Sequence, residues 1–296
     1  MSLPLACALC AALLAVDLLA RSLRLHWLLR GAGYRLPVRG LCASILFGDA
    51  AAAVTPMRLG GEPARWLGLL SGGVPARVAA AVLAVEMVSY LTVVAISGAA
   101  AAWLLGAGWW ADVGPRLAVR ADEGLPWLIA VIAASAGVWV WVRRRRARRP
   151  AAAAPAPTMA AVRGAVGWPL VAFVPLTLAS IAARLAMLPV LAQTLPDPPA
   201  PGVLVMGSFA LIYGQLFFPT PGGAGAVELL ASAGTAGELG GTAGPVFLAW
   251  RAVTTGVPVI LGFALALRRY GGAAVRGVLR GEKPPDPSPA GAAEIA

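Results

Sequence analysis

The amino-acid sequence predicts an all-α, polytopic membrane protein with about six transmembrane helices and two Gly/Pro-broken re-entrant hairpins in an inverted-repeat arrangement. Composition is the first reason, because 59% of the 296 residues are apolar and only 12% are charged, whereas a water-soluble domain carries about 25% charged residues. Apolar stretches of 17 or more residues with at most one charge recur along the chain, and about 20 apolar residues cross a hydrocarbon core. Two shorter stretches are broken by proline and glycine in the same way, which predicts the hairpins.

The long apolar segments predict the full spans. They run from Leu3 to about Leu29, Val78 to Ala107, Leu125 to Val142, Val166 to Leu191 and Pro245 to Leu267. Two further apolar segments, Leu41 to Val54 and Gly202 to Phe218, each lead into a broken stretch. The first segment lacks a basic region before it, and no A-x-A cleavage site precedes a polar mature chain, so we expect a retained span rather than a signal peptide.

The two broken stretches share one pattern. In each, an apolar run ends at a Thr-Pro pair, two glycines follow, and a glutamate lies six or seven residues beyond the proline. The first runs from Thr55-Pro56 to Glu62, and the second, about 165 residues later, runs from Thr220-Pro221 to Glu228. Three full spans separate them, so two re-entrant hairpins must enter from opposite faces of the membrane. A matched pair of this kind points to a transporter's binding site.

The distribution of arginine predicts the topology. The net charge is +11, but the basic residues are concentrated in a few clusters between apolar stretches, such as the run from Arg143 to Arg149. Because cytoplasmic loops collect Lys and Arg, this pattern indicates loop orientation rather than nucleic-acid binding. We expect a multi-pass membrane protein with a cytoplasmic C-terminus. Residues 1–270 form a single integral domain, and residues 271–296 form a polar, Pro-rich tail that we expect to be disordered.

The residue counts exclude several kinds of catalytic site. His26 is the only histidine and there are three cysteines, which leaves no His-based triad, multi-histidine metal site or disulfide framework. The chain also has no P-loop and no D-x-D pair. We therefore expect no catalytic residue, no metal and no cofactor, and a protein that is not an enzyme. The rival interpretation is a membrane-embedded transferase that uses Glu62 and Glu228 in acid/base chemistry.

The residues around the broken stretches resemble a known family. The first stretch carries Pro56-x-Arg58-x-Gly60-Gly61-Glu62-x-x-Arg65, the second carries Pro219-x-Pro221-Gly222-Gly223-x-Gly225-x-x-Glu228, and Arg251 lies in the final helix. These residues are similar to the motifs of the lysylphosphatidylglycerol synthase/flippase-like transmembrane family, over roughly Leu3 to Arg269. The resemblance implies a polytopic inner-membrane protein that translocates lipids or lipid-linked precursors. Members often have one more N-terminal span. The soluble aminoacyltransferase domain has no counterpart here, so we expect no lysyl transfer.

Ionisable residues inside spans cost roughly 2.5 to 3.5 kcal/mol each on insertion scales, and they indicate function. We predict a binding site for an anionic headgroup that combines arginines for phosphate contacts with glycines for close backbone approach. Its residues are Arg58, Arg65, Arg251, Glu62, Glu228, Gly60, Gly61, Gly222, Gly223 and Gly225, with Arg184 and Glu86 as secondary candidates. For Glu62 and Glu228, helix capping or pairing with an arginine is an equal alternative. Asp17 and Asp49 are assigned to the membrane interface.

Together these features predict a lipid flippase or transporter. Its substrate is an anionic phospholipid or a lipid-linked precursor of a polyprenyl or hopanoid pathway, moved across the inner membrane. The expected partners are a membrane lipid with an anionic headgroup and enzymes of lipid biosynthesis, with no nucleic acid. A non-transporting membrane subunit of a lipid or glycolipid biosynthesis complex is the alternative.

Overall fold

The computed structural model describes residues 1–55, 58–104, 162–165, 167–214 and 243–279. Within these ranges every regular element is helical, which confirms the predicted all-α class. The predicted span from Leu125 to Val142 and the second broken stretch, from Thr220 to Glu228, lie outside the described residues.

Eight helices are described, and their bounds follow the apolar segments of the sequence. In chain order they are α1 (Leu3–Gly31), α2 (Val38–Val54), α3 (Gly61–Ser71), α4 (Ala76–Leu104), α5 (Pro169–Ala192), α6 (Pro201–Gly214), α7 (Ala243–Arg251) and α8 (Val257–Leu279). A π-helical turn, Ala252–Gly256, joins α7 to α8. Residues 162–165 form a further short helical segment.

Four stretches are long and apolar enough to cross a membrane. They are Leu3–Gly31, Ala76–Leu104, Pro169–Ala192 and Gly244–Gly272. The shortest has 24 residues, which gives a length of about 36 Å against a hydrocarbon core of about 30 Å. These stretches confirm four of the predicted spans. The total number of spans and the re-entrant course of the hairpins stay predictions.

Prolines and glycines explain where several helices begin and end. Pro4 and Pro169 lie in the first turns of α1 and α5, where the missing N–H removes no helical hydrogen bond. Gly33 follows α1 with φ +89°, and Gly73 follows α3 with φ +82°. Both values lie in the left-handed region, which glycine adopts without a Cβ clash and which ends a helix.

The C-terminal boundary differs from the sequence prediction. Helix α8 continues to Leu279, so residues 272–279 are helical although the predicted disordered tail starts at residue 271. The boundary is still marked in the backbone, because Gly271 breaks the helical geometry with φ +76°. The polar composition of this segment indicated the break but not the helical turns after it.

Helices α2 and α3 form the helical pair that the first broken stretch predicts. Their backbones approach closely, because a Cβ added at Gly68 would lie 2.2 Å from Oγ of Ser44 and one added at Gly61 would lie 3.1 Å from Cβ of Ala52. Helix α3 begins at Gly61, before the apolar run that starts at Trp66. Glu62 and Arg65 therefore lie in the helix itself, in its first two turns.

The helices pack around apolar clusters, and a layer of buried polar residues lies between two of these clusters. Helix α1 packs along α5, and α8 packs across α2. One cluster fills the first half of α1 and the second half of α5, and includes Cys10 and Ile181. Another fills the second half of α1 and the first half of α5, and includes Leu25 and Phe173. The buried positions between the two clusters are polar, and they form the site described next.

Candidate functional site

A layer of buried polar side chains separates the two apolar clusters. Helix α1 contributes Asp17 and Arg24, helix α5 contributes Thr177 and Ser180, and helix α4 contributes Glu86. All of these residues lie inside stretches that are long and apolar enough to cross a membrane. Charges at such positions need partners within the protein, because the desolvation cost is several kcal/mol per ion.

The Glu86 cluster consists of Glu86, Arg24, Arg65 and Glu62. The Glu86 side chain is 1% exposed and pairs with two arginines on different helices. Arg24 donates from Nε (3.1 Å) and Nη2 (2.7 Å) to Oε1 of Glu86, and Nη2 of Arg65 donates to Oε2. Nη1 of Arg65 donates to Oε1 of Glu62 at 3.0 Å. One buried carboxylate thus ties α1 and α3 to α4.

Further contacts fix the position of Arg24. Its Nη1 donates to the Thr177 hydroxyl at 3.3 Å. Its guanidinium carbon lies 5.0 Å from the centre of the Tyr90 ring and 5.1 Å from the centre of the Phe173 ring, within cation–π range. The N–H groups of Arg24 donate hydrogen bonds, and its guanidinium group contacts two aromatic rings. We therefore assign it the role of holding Glu86 in place.

The Asp17 cluster consists of Asp17, Arg21, Asp49, Arg184 and Ser180. Nε of Arg184 donates to Oδ2 of Asp17 at 2.9 Å, and the Ser180 hydroxyl donates to Oδ1. Arg21 donates from both Nη atoms to the two Asp49 oxygens at 2.7 Å each, the bidentate arrangement that is strongest for this pair. Arg21 also lies 3.5 Å from Asp17. This cluster joins α1, α2 and α5.

Two adjoining cavities open beside these clusters. The larger has a volume of about 440 Å3 and is lined by members of both clusters, within the range of about 300 to 1,000 Å3 typical of ligand pockets. The smaller, of about 40 Å3, lies next to Trp250 and Arg251 and has room for only a few water molecules. Asp49, Arg58 and Arg184 line both cavities. Of these two cavities, the larger has the volume of a ligand pocket.

The larger cavity is lined by charged and apolar side chains together. Arginines and carboxylates line it, and so do Leu59, Met87 and Leu91. These three apolar side chains are 69%, 48% and 49% exposed. The lining therefore combines guanidinium groups with exposed apolar surface.

Arg58 has an unusual backbone conformation between the two cavities. Its φ is +58°, in the left-handed region, which costs a residue with a Cβ roughly 1 to 2 kcal/mol. Non-glycine residues in this region cluster at functional sites, where the surrounding structure holds the strain. Arg251 is the last residue of α7 and precedes the π-helical turn, another feature frequent at functional sites.

A family model described as the transmembrane region of lysylphosphatidylglycerol synthase matches residues 2–262. The chain belongs to the lysylphosphatidylglycerol synthase transmembrane family. The matched range contains both clusters and all the described residues that line the two cavities. No curated protein and no solved structure matches the chain. Membership confirms the resemblance seen in the sequence and indicates a membrane protein with a function related to lipids.

In this member of the lysylphosphatidylglycerol synthase transmembrane family, the structure brings most of the described candidate residues together. Arg58, Glu62, Arg65, Glu86 and Arg184 all line the larger cavity. Arg251 lines the smaller cavity instead. The candidates of the second broken stretch lie outside the described residues, and they are Gly222, Gly223, Gly225 and Glu228.

The glycines of the first broken stretch contact the protein's own backbone. A Cβ added at Gly60 would lie 2.9 Å from Oγ1 of Thr55 and 3.0 Å from the Ala51 carbonyl oxygen. The Gly60 N–H donates to Oγ1 of Thr55 at 2.9 Å. Gly61 packs against α2 and also lines the larger cavity. The absence of side chains at both positions allows α3 to start directly beside the end of α2.

The structure also identifies residues that the sequence analysis placed elsewhere or omitted. Asp17 and Asp49 were assigned to the membrane interface, but Asp17 is 1% exposed within the helix bundle and Asp49 pairs with Arg21. Arg21 and Arg24 were not among the predicted site residues, yet both belong to the polar layer, where they pair with Asp49 and Glu86. The i,i+4 spacing of Asp17 and Arg21 was the available signal, since such residues share one helix face.

Proposed function

We propose that this protein translocates an anionic phospholipid or a lipid-linked precursor across the inner membrane, with the headgroup bound in the larger cavity. The observation that carries the proposal is that arginines and exposed apolar side chains line one cavity of about 440 Å3 together. A soluble anion would need the arginines but not the apolar side chains. A lipid needs both, because its headgroup and its acyl chains require different surroundings at the same time.

In this proposal, different cavity residues contact the headgroup and the acyl chains. Arg65 and Arg58 offer guanidinium groups to the headgroup, since planar N–H pairs match phosphate oxygens. Leu59, Met87 and Leu91 contact the first part of the acyl chains, which extend outward along α4. Glu86 and Arg24 hold Arg65 in position. The proposal requires no cofactor and no covalent step, and it places the C-terminus in the cytoplasm.

Reconstitution tests the proposal directly. The purified protein is inserted into phosphatidylcholine vesicles that contain phosphatidylglycerol and a trace of fluorescently headgroup-labelled phosphatidylglycerol, and dithionite is added outside. We expect the quenched fraction to exceed the outer-leaflet fraction seen in protein-free vesicles. Arg65→Gln should reduce the rate of the additional quenching. Arg30→Gln, which removes an exposed arginine at the end of α1, is the matched control and should leave it unchanged.

Two results would contradict the proposal. One is quenching in proteoliposomes that equals the protein-free value for labelled phosphatidylglycerol and for labelled polyprenyl phosphate. The other is full exchange in Arg65→Gln protein that remains monodisperse and has the wild-type melting temperature. The first result would favour the alternative of a non-transporting subunit, and the second would remove the cavity from the mechanism.

A further inference from the structure

Arg65 has two carboxylate partners, which differ in the helix that carries them, in their exposed fraction and in their other partners. Glu86 comes from α4, is 1% exposed, and is held by Arg24 as well. Glu62 comes from α3 itself, one turn before Arg65, and its side chain is 48% exposed. Both carboxylates line the larger cavity together with Arg65. The guanidinium is therefore anchored on one side and accessible on the other.

The two pairs also differ in strength. A pair at i,i+3 whose acid is half exposed contributes little, because water competes for both groups and the side chains must be ordered. A pair with a fully buried carboxylate is costly to break, because a charge is left without a partner inside the protein. An anion that enters the cavity and contacts Arg65 will displace the weaker partner. Nη1, the atom that donates to Glu62, is then available to the anion.

We propose that the Glu62 carboxylate is an exchangeable partner of Arg65, which a phosphate-bearing headgroup replaces while Glu86 keeps the guanidinium in position. The inference rests on the proposed function and adds how its site is regulated. Glu62 competes with the ligand for the same N–H group, so it weakens binding and speeds release. A transporter benefits from this arrangement, since a headgroup that binds too tightly is not released on the other side of the membrane.

The inference predicts an effect of unusual sign, because removal of a polar residue from the binding site strengthens binding. Glu62→Gln keeps the shape of the side chain and removes its charge. We expect this variant to bind a phosphate ligand about two- to fivefold more tightly, the factor that corresponds to a half-exposed ion pair. The probes are inorganic phosphate and dihexanoyl-phosphatidylglycerol, each titrated by isothermal calorimetry into protein in a neutral detergent.

A double-mutant cycle separates the specific effect from a general change of charge. Any neutralised carboxylate raises the attraction of the cavity for anions, but only competition for Arg65 requires Arg65 itself. In an Arg65→Gln background, Glu62→Gln should therefore change the affinity by less than it does in the wild-type background. Melting temperatures of all four proteins show whether each variant is folded, and Glu62→Ala provides a second removal of the carboxylate.

Each outcome decides one point. The inference is supported if Glu62→Gln binds a probe more tightly only when Arg65 is present. If inorganic phosphate shows the effect, the site accepts a free phosphate; if only dihexanoyl-phosphatidylglycerol shows it, the site requires a lipid headgroup. The inference is overturned if both Glu62 variants bind the probes no more tightly than the wild type, or if Glu62→Gln tightens binding equally in both backgrounds. In either case, binding of a probe by the wild-type protein leaves the proposed function standing. If the wild-type protein binds neither probe, the proposed headgroup site fails, and the inference fails with it.

Discussion

The Asp17 cluster and the Glu86 cluster occupy the same polar layer but are built differently. In the Asp17 cluster, two carboxylates face two arginines, and Asp17 and Asp49 are 1% and 19% exposed. In the Glu86 cluster, two arginines share one buried carboxylate, and the second carboxylate, Glu62, is 48% exposed. The first cluster balances its charges inside the protein, whereas the second depends on a partner at the cavity surface.

This difference separates a structural role from a binding role. In the Asp17 cluster, each carboxylate pairs with an arginine of another helix, so an additional anion would have to displace a carboxylate that holds two helices together. A network whose balance depends on an exposed carboxylate can exchange that carboxylate for a ligand at small cost. The burial of an arginine is therefore a weaker sign of function than the exposure of its partner. Four substitutions test the distinction.

The largest effect is expected for Glu86→Gln. This change leaves Arg24 and Arg65 in the polar layer without their shared carboxylate, and breaking a buried pair on one side costs about 3 to 5 kcal/mol. The free energy of unfolding can be measured by denaturant titration of the detergent-solubilised protein. Glu62→Gln is the matched control in the same cluster, and it should cost less than about 1 kcal/mol because the side chain is half exposed. Equal losses for the two variants would remove the asymmetry on which the comparison depends.

Asp17→Asn should destabilise the other cluster by a smaller amount. It removes the charge that faces Arg184 and replaces one of the two oxygens that accept from Ser180 and Arg184 by an NH2 donor, at a cost of roughly 1 to 3 kcal/mol. The loss is limited because the Arg184 side chain is 24% exposed and keeps some contact with water. The double variant Asp17→Asn/Arg184→Gln should lose less free energy of unfolding than the sum of the losses in the two single variants. Strict additivity would show that the two side chains do not stabilise each other.

Gly48→Ala should disturb the Glu86 cluster through Arg65. A Cβ at this position would lie 2.5 Å from Cγ of Arg65, so the Arg65 side chain must shift from the position in which it pairs with Glu86. Overpacking of this kind costs about 1 to 2 kcal/mol. Gly202→Ala is the control, because nothing lies within 4 Å of its added Cβ. Lipid exchange should fall in Gly48→Ala and persist in Gly202→Ala, and a normal rate in both would separate Arg65 from transport.

The smallest effect concerns the backbone of Arg58, between the two cavities. Since φ is +58°, Arg58→Gly should be more stable than Arg58→Ala by about 1 kcal/mol, because glycine adopts this region without a Cβ clash. Both variants lose the same side-chain interactions, so their difference in melting temperature isolates the backbone. If alanine were as stable as glycine, the conformation would carry no strain.

The sequence predicted the described spans well because hydrophobicity and length act locally. Leu3–Gly31 and Ala76–Leu104 were recognisable without knowledge of their neighbours, since length and apolar composition can be read from each segment alone. The Thr-Pro and double-glycine pattern located the turn between α2 and α3 for a similar reason, because these residues act on their own backbone. The motif also identified Glu62 and Arg65 as charged residues of one site.

What the sequence did not predict is how the charges pair. Arg24 lies 62 positions from Glu86 and 153 from Thr177 along the chain, and no local pattern relates residues so distant. Asp17 was assigned to the interface because its partner on α5, Arg184, lies 167 positions away in the chain and could not be predicted from spacing. Buried arginines can be paired by any acid that packing brings near them, so their partners cannot be read from spacing.

The sequence by itself determined the helical class, the membrane as solvent and the family, since each follows from local hydrophobicity and from short motifs of proline, glycine and charge. Only the tertiary structure decided which charges meet, which arginines share a carboxylate and which side chains line one cavity. The physical reason is that ion pairing and cavities depend on distances between helices. Those distances are set by packing between segments far apart in the chain, such as α1 against α5 and α2 against α8.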